Sequence, residues 1–374
     1  MSRNGTDPIV VIGGGIMGSA LARELAVLDQ KVVLLEAGLP GRQASWAAAG
    51  MLAPLGEAPT PGPFLDLARA SLELFPTLLE ELLQETGQRV PYAPCGKLQV
   101  AWSAEEVQDL RDRLAWAGSM SDGVGLLTGA DLRRQEPLLS PNASTALLIP
   151  HDHQVENREL TMALWEGARR HGVDARSGFR VTGVESTHGR VSGVRLADGD
   201  LLKARAVVVA AGAWSGGLNG LPTVLPVRPV KGQMLALDAR GLPPIRRILA
   251  SSEIYLVPRE DGRLLVGATV EEAGFDMALT PQGIMSLLDP AIRLLPAAGN
   301  LPILEFWSGL RPGTPDDLPI LGPDPHLQGL WYATGHFRNG ILLAPGSSRA
   351  LARAMTGEVP EMDLRPFHPH RFVS

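Results

Sequence analysis

The chain has a single cysteine, Cys95, in 374 residues. No disulfide can form within it, and a cytoplasmic protein is the simplest expectation. It has no excess of positive charge: 34 Lys and Arg stand against 40 Asp and Glu, a net charge of −6. The basic residues are scattered, so the electrostatic footprint of a nucleic-acid surface is missing. It has no long apolar run. The longest, such as AVVVAAGAW, fall far short of the roughly 18 residues that suggest a membrane span. The opening MSRNGTDP is polar and lacks the apolar core of a signal peptide. There is no second G-x-G-x-x-G, so no separate NAD(P) domain is expected, and no Ser-His-Asp or Cys-His arrangement is legible. The stretch HDHQVEN, His151 to Asn157, has no matching second ligand cluster. No metal is expected there, and it reads as a loop before a helix capped by Asn157.

What is present is apolar and periodic. Hydrophobic residues make up 45% of the chain, enough for large cores, and 42 Gly and 31 Pro mark many turns between periodic segments. At roughly 150 residues per domain, this length suggests two or three compact units.

The segment PIVVIGGGIMGSALARELAVLDQKVVLLEAG reads as strand, glycine turn, helix, strand. Gly13, Gly15 and Gly18 form G-x-G-x-x-G between the apolar run at Ile9 and the helical spacing of residues 16 to 28. Glycine permits the tight turn and close backbone approach, and the helix N-terminus can receive a pyrophosphate. Glu36, at the end of the second strand, can accept hydrogen bonds from a ribose. Strand, helix and acid in register point to dinucleotide binding, with FAD and NAD both open. Further on, small residues from Ala44 to Gly50 would let backbone lie against a flat ligand. The segment AVVVAAGAW gives another strand, followed by a small-residue turn at Ala211 and Gly212.

Near the C-terminus, TGHFRNGILLAPG is a glycine-rich turn running into an apolar helix with no acid in it. A buried helix N-terminus leaves N–H donors and a partial positive charge in want of an electron-rich group. Upstream, EIYLVPREDGRLLVGATV reads as a hairpin with EDG as its turn and Tyr255 on its first strand. In FWSGLRPGTPDDLP, Arg311 lies between a glycine turn and Pro312. A guanidinium placed this way can bind a carboxylate through two parallel hydrogen bonds, or form a structural salt bridge with Asp316 or Asp317.

These pieces together resemble the D-amino-acid oxidase superfamily of FAD-dependent oxidoreductases, nearest its glycine oxidase branch. The carrying segments are IVVIGGGIMGSALARELA, GRQASWAAAGML, VVVAAGAWS, YLVPREDGRLLVGAT, GLRPGTPDDLPILG and GHFRNGILLAPG, and they span nearly the whole chain. The resemblance implies a mixed α/β (α+β) fold, with a Rossmann-like FAD-binding domain at 1–90, 150–222 and 304–374. A substrate domain built on an antiparallel sheet would take 91–149 and 223–303. It implies non-covalent FAD, because Cys95 lies outside the motifs where relatives attach flavin.

Carried over by motif, Ile16 and Met17 lie in the phosphate turn, and Glu36 and Ala37 at the ribose. Ala44, Ser45, Ala49, Gly50 and Met51 approach the flavin, and Val181 reaches the adenine. Gly212 and the turn residues His336, Phe337, Arg338, Asn339, Gly340, Ile341 and Leu342 complete the cofactor set, the last group facing the flavin's pyrimidine end. Arg311 and Tyr255 would hold a substrate carboxylate, with Arg338 assisting. The implied reaction is oxidation by oxygen of glycine or another small amine bearing a carboxylate, yielding peroxide and supplying thiazole synthesis for thiamine. A homo-oligomer, a tetramer by resemblance, is also implied. A dehydrogenase with another electron acceptor, or a flavin-bearing subunit of a larger complex, stays open.

Overall fold

The computed structural model describes residues 7–372. Its centre is a six-stranded sheet in the order Ile320–Pro323, Leu330–Thr334, Ala206–Val209, Ile9–Ile12, Val32–Glu36, Asp174–Ser177. All neighbours are parallel except the first pair. Ile9–Ile12 and Ala206–Val209 are buried along their whole length, as parallel strands covered on both faces must be. One face carries the helices Ile16–Val27, Pro63–Thr86, Asn157–Arg170 and Gly340–Thr356 over a core of Leu21, Leu25, Phe75, Leu82 and Leu164. The other carries the antiparallel strands Val181–Thr187, Arg190–Leu196 and Leu201–Lys203.

An eight-stranded, mostly antiparallel sheet forms the second layer, in the order Ile303–Gly313, Arg228–Asp238, Arg263–Gly267, Tyr255–Pro258, Ile248–Ala250, Lys97–Ala101, Thr145–Ile149, Gly125–Thr128. The EDG hairpin forms as its turn signal predicts, with Tyr255 opposite Gly267. The strand Ile303–Gly313 pairs with Arg228–Asp238 over ten residues and lies in this sheet, although its sequence position had put it on the FAD side of a division at 304. Among the described residues, no helix is long and apolar enough to cross a membrane.

One local reading changes. His153–Val155 is a short strand and not a loop, and the following helix is capped by Glu156, whose side chain accepts from Arg158 N–H. Asn157 lies one residue inside the helix, and its amide is engaged elsewhere. The Pro345–Gly346 pair lies inside the helix Gly340–Thr356. Proline breaks the backbone ladder there. Ser71 repairs it from the neighbouring helix: its Oγ accepts from Gly346 N–H at 2.9 Å and donates to the Leu342 carbonyl at 2.6 Å.

Candidate active site

A cavity of about 1400 Å³ lies between the C-terminal ends of the parallel strands and the face of the eight-stranded sheet, the place where open α/β sheets bind ligands. At one end is the glycine turn. Gly13 has φ +110°, and a Cβ there would stand 2.5 Å from the Ala210 carbonyl; one on Gly18 would stand 1.8 Å from the Gly13 carbonyl. Only glycine lets the turn close onto the neighbouring strand. Glu36 braces the same turn, accepting from Gly14 N–H at 2.7 Å and Gly38 N–H at 2.8 Å while facing the cavity. A carboxylate has lone pairs left for further donors. Ser45 Oγ accepts from Ile16 N–H at 2.9 Å, so the helix N-terminus is joined to the second small-residue segment.

The predicted residues converge. Gly13, Gly15, Ile16, Met17, Glu36, Ala37, Ala44, Ser45, Ala49, Gly50, Met51, Val181 and Gly212 line this cavity, together with His336, Phe337, Arg338, Asn339, Gly340, Ile341, Tyr255 and Arg311. Gly18 and Leu342 do not line it. Gly18 packs on the turn itself, and Leu342 is buried in the helical core. Cys95 is also away from the lining. Sequence reasoning passed over Gly232, Met234, Gly309 and Trp214, which line the cavity as well. Gly232 had a signal, a glycine within the apolar strand Arg228–Asp238, which marks a close approach.

At the far end the C-terminal turn brings a buried helix N-terminus to the cavity. The helix begins at Gly340 with no acid in its first turn and no side-chain cap from Asn339. Phe337 takes φ +46°, a left-handed turn held by its N–H bond to the Pro312 carbonyl at 3.0 Å. His336 is buried, and burial pushes its pKa down to about 3, so its ring is neutral. Its Nε2 has no hydrogen-bond partner among the described residues.

Arg311 lines the same cavity and directly precedes Pro312, whose carbonyl holds this turn. One guanidinium nitrogen, Nη1, donates to the Thr269 carbonyl at 3.0 Å and the Lys231 carbonyl at 3.4 Å. The group lies flat on Gly232, where a Cβ would stand 2.4 Å from both terminal nitrogens. Arg311 makes no ion pair among the described residues: Asp316 is bound by Arg371 at 2.7 Å, which removes the salt-bridge alternative for that acid. Desolvation holds the Arg311 pKa below its ordinary value, with Tyr255 opposing and Arg338 adding to the shift. Tyr255 is pushed up by burial, so it is a neutral hydroxyl donor. Arg338 is exposed, with its guanidinium 5.4 Å from the Phe337 ring.

The arrangement fits FAD. A glycine cradle, an acid and a corridor of small residues match a dinucleotide. An acid-free helix N-terminus and an unpartnered imidazole nitrogen wait where an electron-rich ring would end. Residues 8–354 match the sequence profile of the family described as DAO, FAD dependent oxidoreductase. The chain is 36% identical to the glycine oxidase of Pseudomonas putida over 365 residues, covering 96% of this chain and 98% of that one. It is 40% identical to the bifunctional protein ThiO/ThiG of Synechocystis over 99% of its own length, but spans only 54% of that longer protein. The crystal structure of glycine oxidase from Geobacillus kaustophilus superposes with a TM-score of 0.94 at 34% identity, covering 98% of this chain and 99% of that one. The chain belongs to the DAO family of FAD-dependent oxidoreductases.

Proposed function

We propose that the chain oxidises glycine and other small amines bearing a carboxylate, sarcosine, D-alanine and D-proline among them. The product imine hydrolyses to the oxo acid, and oxygen is reduced to hydrogen peroxide. The observation that carries this reading is Arg311: a half-buried cation with no acid bound to it among the described residues, committed on one side to two carbonyls, and lining the cavity together with Tyr255. Guanidinium is built for bidentate capture of a carboxylate. The names of the Pseudomonas and Geobacillus relatives support glycine as substrate, and the resemblance to the ThiO/ThiG protein supports a role before thiazole synthesis.

Bound FAD supplies hydride acceptance from the substrate Cα and electron transfer to oxygen. The chain supplies position and field. Arg311 and Tyr255 fix the carboxylate plane, and Arg338 adds positive charge near the mouth. Gly13, Gly15, Ile16, Met17, Glu36 and Ala37 would hold the diphosphate and ribose, and Val181 the adenine. Residues 44–51 and Gly212 would flank the flavin. The N–H groups of Gly340 and Ile341 and the neutral His336 would stabilise negative charge at the pyrimidine end. No side-chain base is required once the substrate amine is unprotonated, and holding the reactants in place contributes several kcal/mol of barrier lowering.

A cytoplasmic homo-oligomer, tetrameric by resemblance, completes the reading. Exposed Ile303, Leu304 and Phe306 on an edge strand support association of copies. The test is to purify the FAD-loaded protein and measure peroxide and glyoxylate formed per glycine consumed, with equal amounts expected. Flavin reduced by glycine without peroxide would move the assignment to a dehydrogenase. Flavin that no small amino acid reduces would refute the reading.

A further inference from the structure

Arg259 opens the hairpin turn Arg259–Glu260–Asp261–Gly262, where the sequence suggests an exposed residue among charged neighbours. Its side chain instead runs inward, and only 4% of it is exposed. Nη1 donates to the Val155 carbonyl at 2.8 Å and to Gln154 Oε1 at 3.1 Å. Nη2 donates to the Ala49 carbonyl at 2.8 Å and to Asn157 Oδ1 at 2.9 Å. Glu156, 3.5 Å from Nε, supplies the counter-charge and also binds Arg263 at 2.8 Å.

Asn157 carries the connection further. Its Nδ2 donates to the Ser45 carbonyl at 2.7 Å and the Trp46 carbonyl at 3.2 Å. The two side chains therefore hold residues 45, 46 and 49 from behind, while the same segment lines the cavity on its other side. Gly50 is pressed between them: a Cβ there would stand 2.1 Å from the Val155 carbonyl and 2.9 Å from Arg259 Nη2. Arg259 also directly follows the strand Tyr255–Pro258, which carries Tyr255. One planar fork thus joins the wall against FAD to the strand that faces the substrate.

We propose that Arg259, acting through Asn157 and the Ala49 carbonyl, is a positioning residue that sets the flavin-facing segment 45–51 in register with the Tyr255 strand. It does not line the cavity and touches no reacting atom. Its effect reaches FAD through the backbone it holds. The inference rests on FAD binding, not on the choice of substrate, so it stands or falls separately from glycine oxidation.

The experiment measures FAD binding to apoprotein by flavin fluorescence, with the visible spectrum of the reconstituted holoprotein. Arg259→Lys keeps the charge but cannot serve four acceptors in one plane. FAD affinity should fall at least about tenfold, with a changed band shape in the flavin spectrum. Asn157→Ala should shift both in the same direction by less. Arg89→Lys alters the exposed ion pair to Glu260 in the same turn and should leave both unchanged. A folded Arg259→Lys protein with FAD affinity and spectrum within twofold of wild type overturns the proposal, even if its melting temperature falls. Should Arg259→Lys not fold, Asn157→Ala decides: FAD affinity and spectrum unchanged would overturn it.

Discussion

Arg259 and Arg311 are two desolvated guanidinium groups on the same eight-stranded layer, and they are used in opposite ways. Arg259 gives its two terminal nitrogens to four protein oxygens and has Glu156 as counter-charge. Arg311 gives one nitrogen to two carbonyls and has no acid bound to it among the described residues. Burying a charge is costly unless it is paired and hydrogen-bonded. The fold supplies acceptors to both terminal nitrogens of the first and leaves only its Nε without a hydrogen bond, whereas the second, the proposed carboxylate anchor, has carbonyl acceptors at Nη1 alone. Burial alone therefore does not mark a functional residue. What separates these two is the set of acceptors at the terminal nitrogens and the presence of a counter-charge.

The largest expected break in this comparison is Arg311→Met. Removing both hydrogen bonds to a charged group, each contributing roughly 1.5–3 kcal/mol, should lower kcat/KM for glycine by about 100-fold or more, with FAD content unchanged. Steady-state peroxide assays on protein of measured flavin content check this. Kinetics within twofold of wild type would remove Arg311 from the site, and joint loss of activity and FAD would give it a structural role.

Gly232→Ala comes next. Its Cβ would intrude on the Arg311 guanidinium at 2.4 Å without touching Arg259. The glycine KM should rise by about tenfold while FAD affinity stays within about twofold, since a misplaced fork loses about one such bond. An unchanged KM would show that the fork has freedom the structure does not suggest.

A buried acid extends the comparison to the other sign. Asp152 is fully buried, neither carboxylate oxygen has a hydrogen-bond partner among the described residues, and burial pushes its pKa up to about 7, with Lys97 opposing. A raised carboxyl pKa means the folded state holds a proton that the unfolded state has lost. Stability from this group is present below pH ~4 and declines as pH rises to about 7. Asp152→Asn should therefore stabilise the protein by roughly 2–3 kcal/mol more at pH 8 than at pH 5. Denaturant melts at the two pH values measure it, and an equal gain at both would contradict a protonated Asp152.

His336 carries the opposite sign. Its lowered pKa means stability is lost as pH falls from about 6.5 toward 3. His336→Gln should flatten the stability loss over that acid range. An unaltered slope would mean the imidazole is already charged in the folded protein.

What was legible in the sequence was what local backbone geometry dictates. The turn of Gly13 and Gly18 could be read because the residues that require glycine are adjacent in the chain or lie on the next strand. The hairpin at 255–267 could be read because EDG specifies its turn. Arg311 and Tyr255 came from resemblance to a family, and their hydrogen-bond inventories could not be inferred. The Arg259–Asn157 network was illegible for a physical reason: its partners lie more than 100 positions apart. Next to Glu260 and Asp261, Arg259 has the pattern of a solvated turn. Asn157 misled in the same way, since asparagine before an amphipathic run is a common helix cap, yet here Glu156 takes that task.

The most direct test of the difference between the two arginines is equilibrium binding of glycolate, glycine with its amine replaced by a hydroxyl, followed by the visible spectrum of flavin-saturated protein. Arg311→Lys should weaken glycolate at least about tenfold, and Arg259→Lys, once saturated with FAD, should change it by less than about threefold. Glycolate bound equally well by wild type and Arg311→Lys would contradict the account, because the unpaired guanidinium would then have no anion to hold.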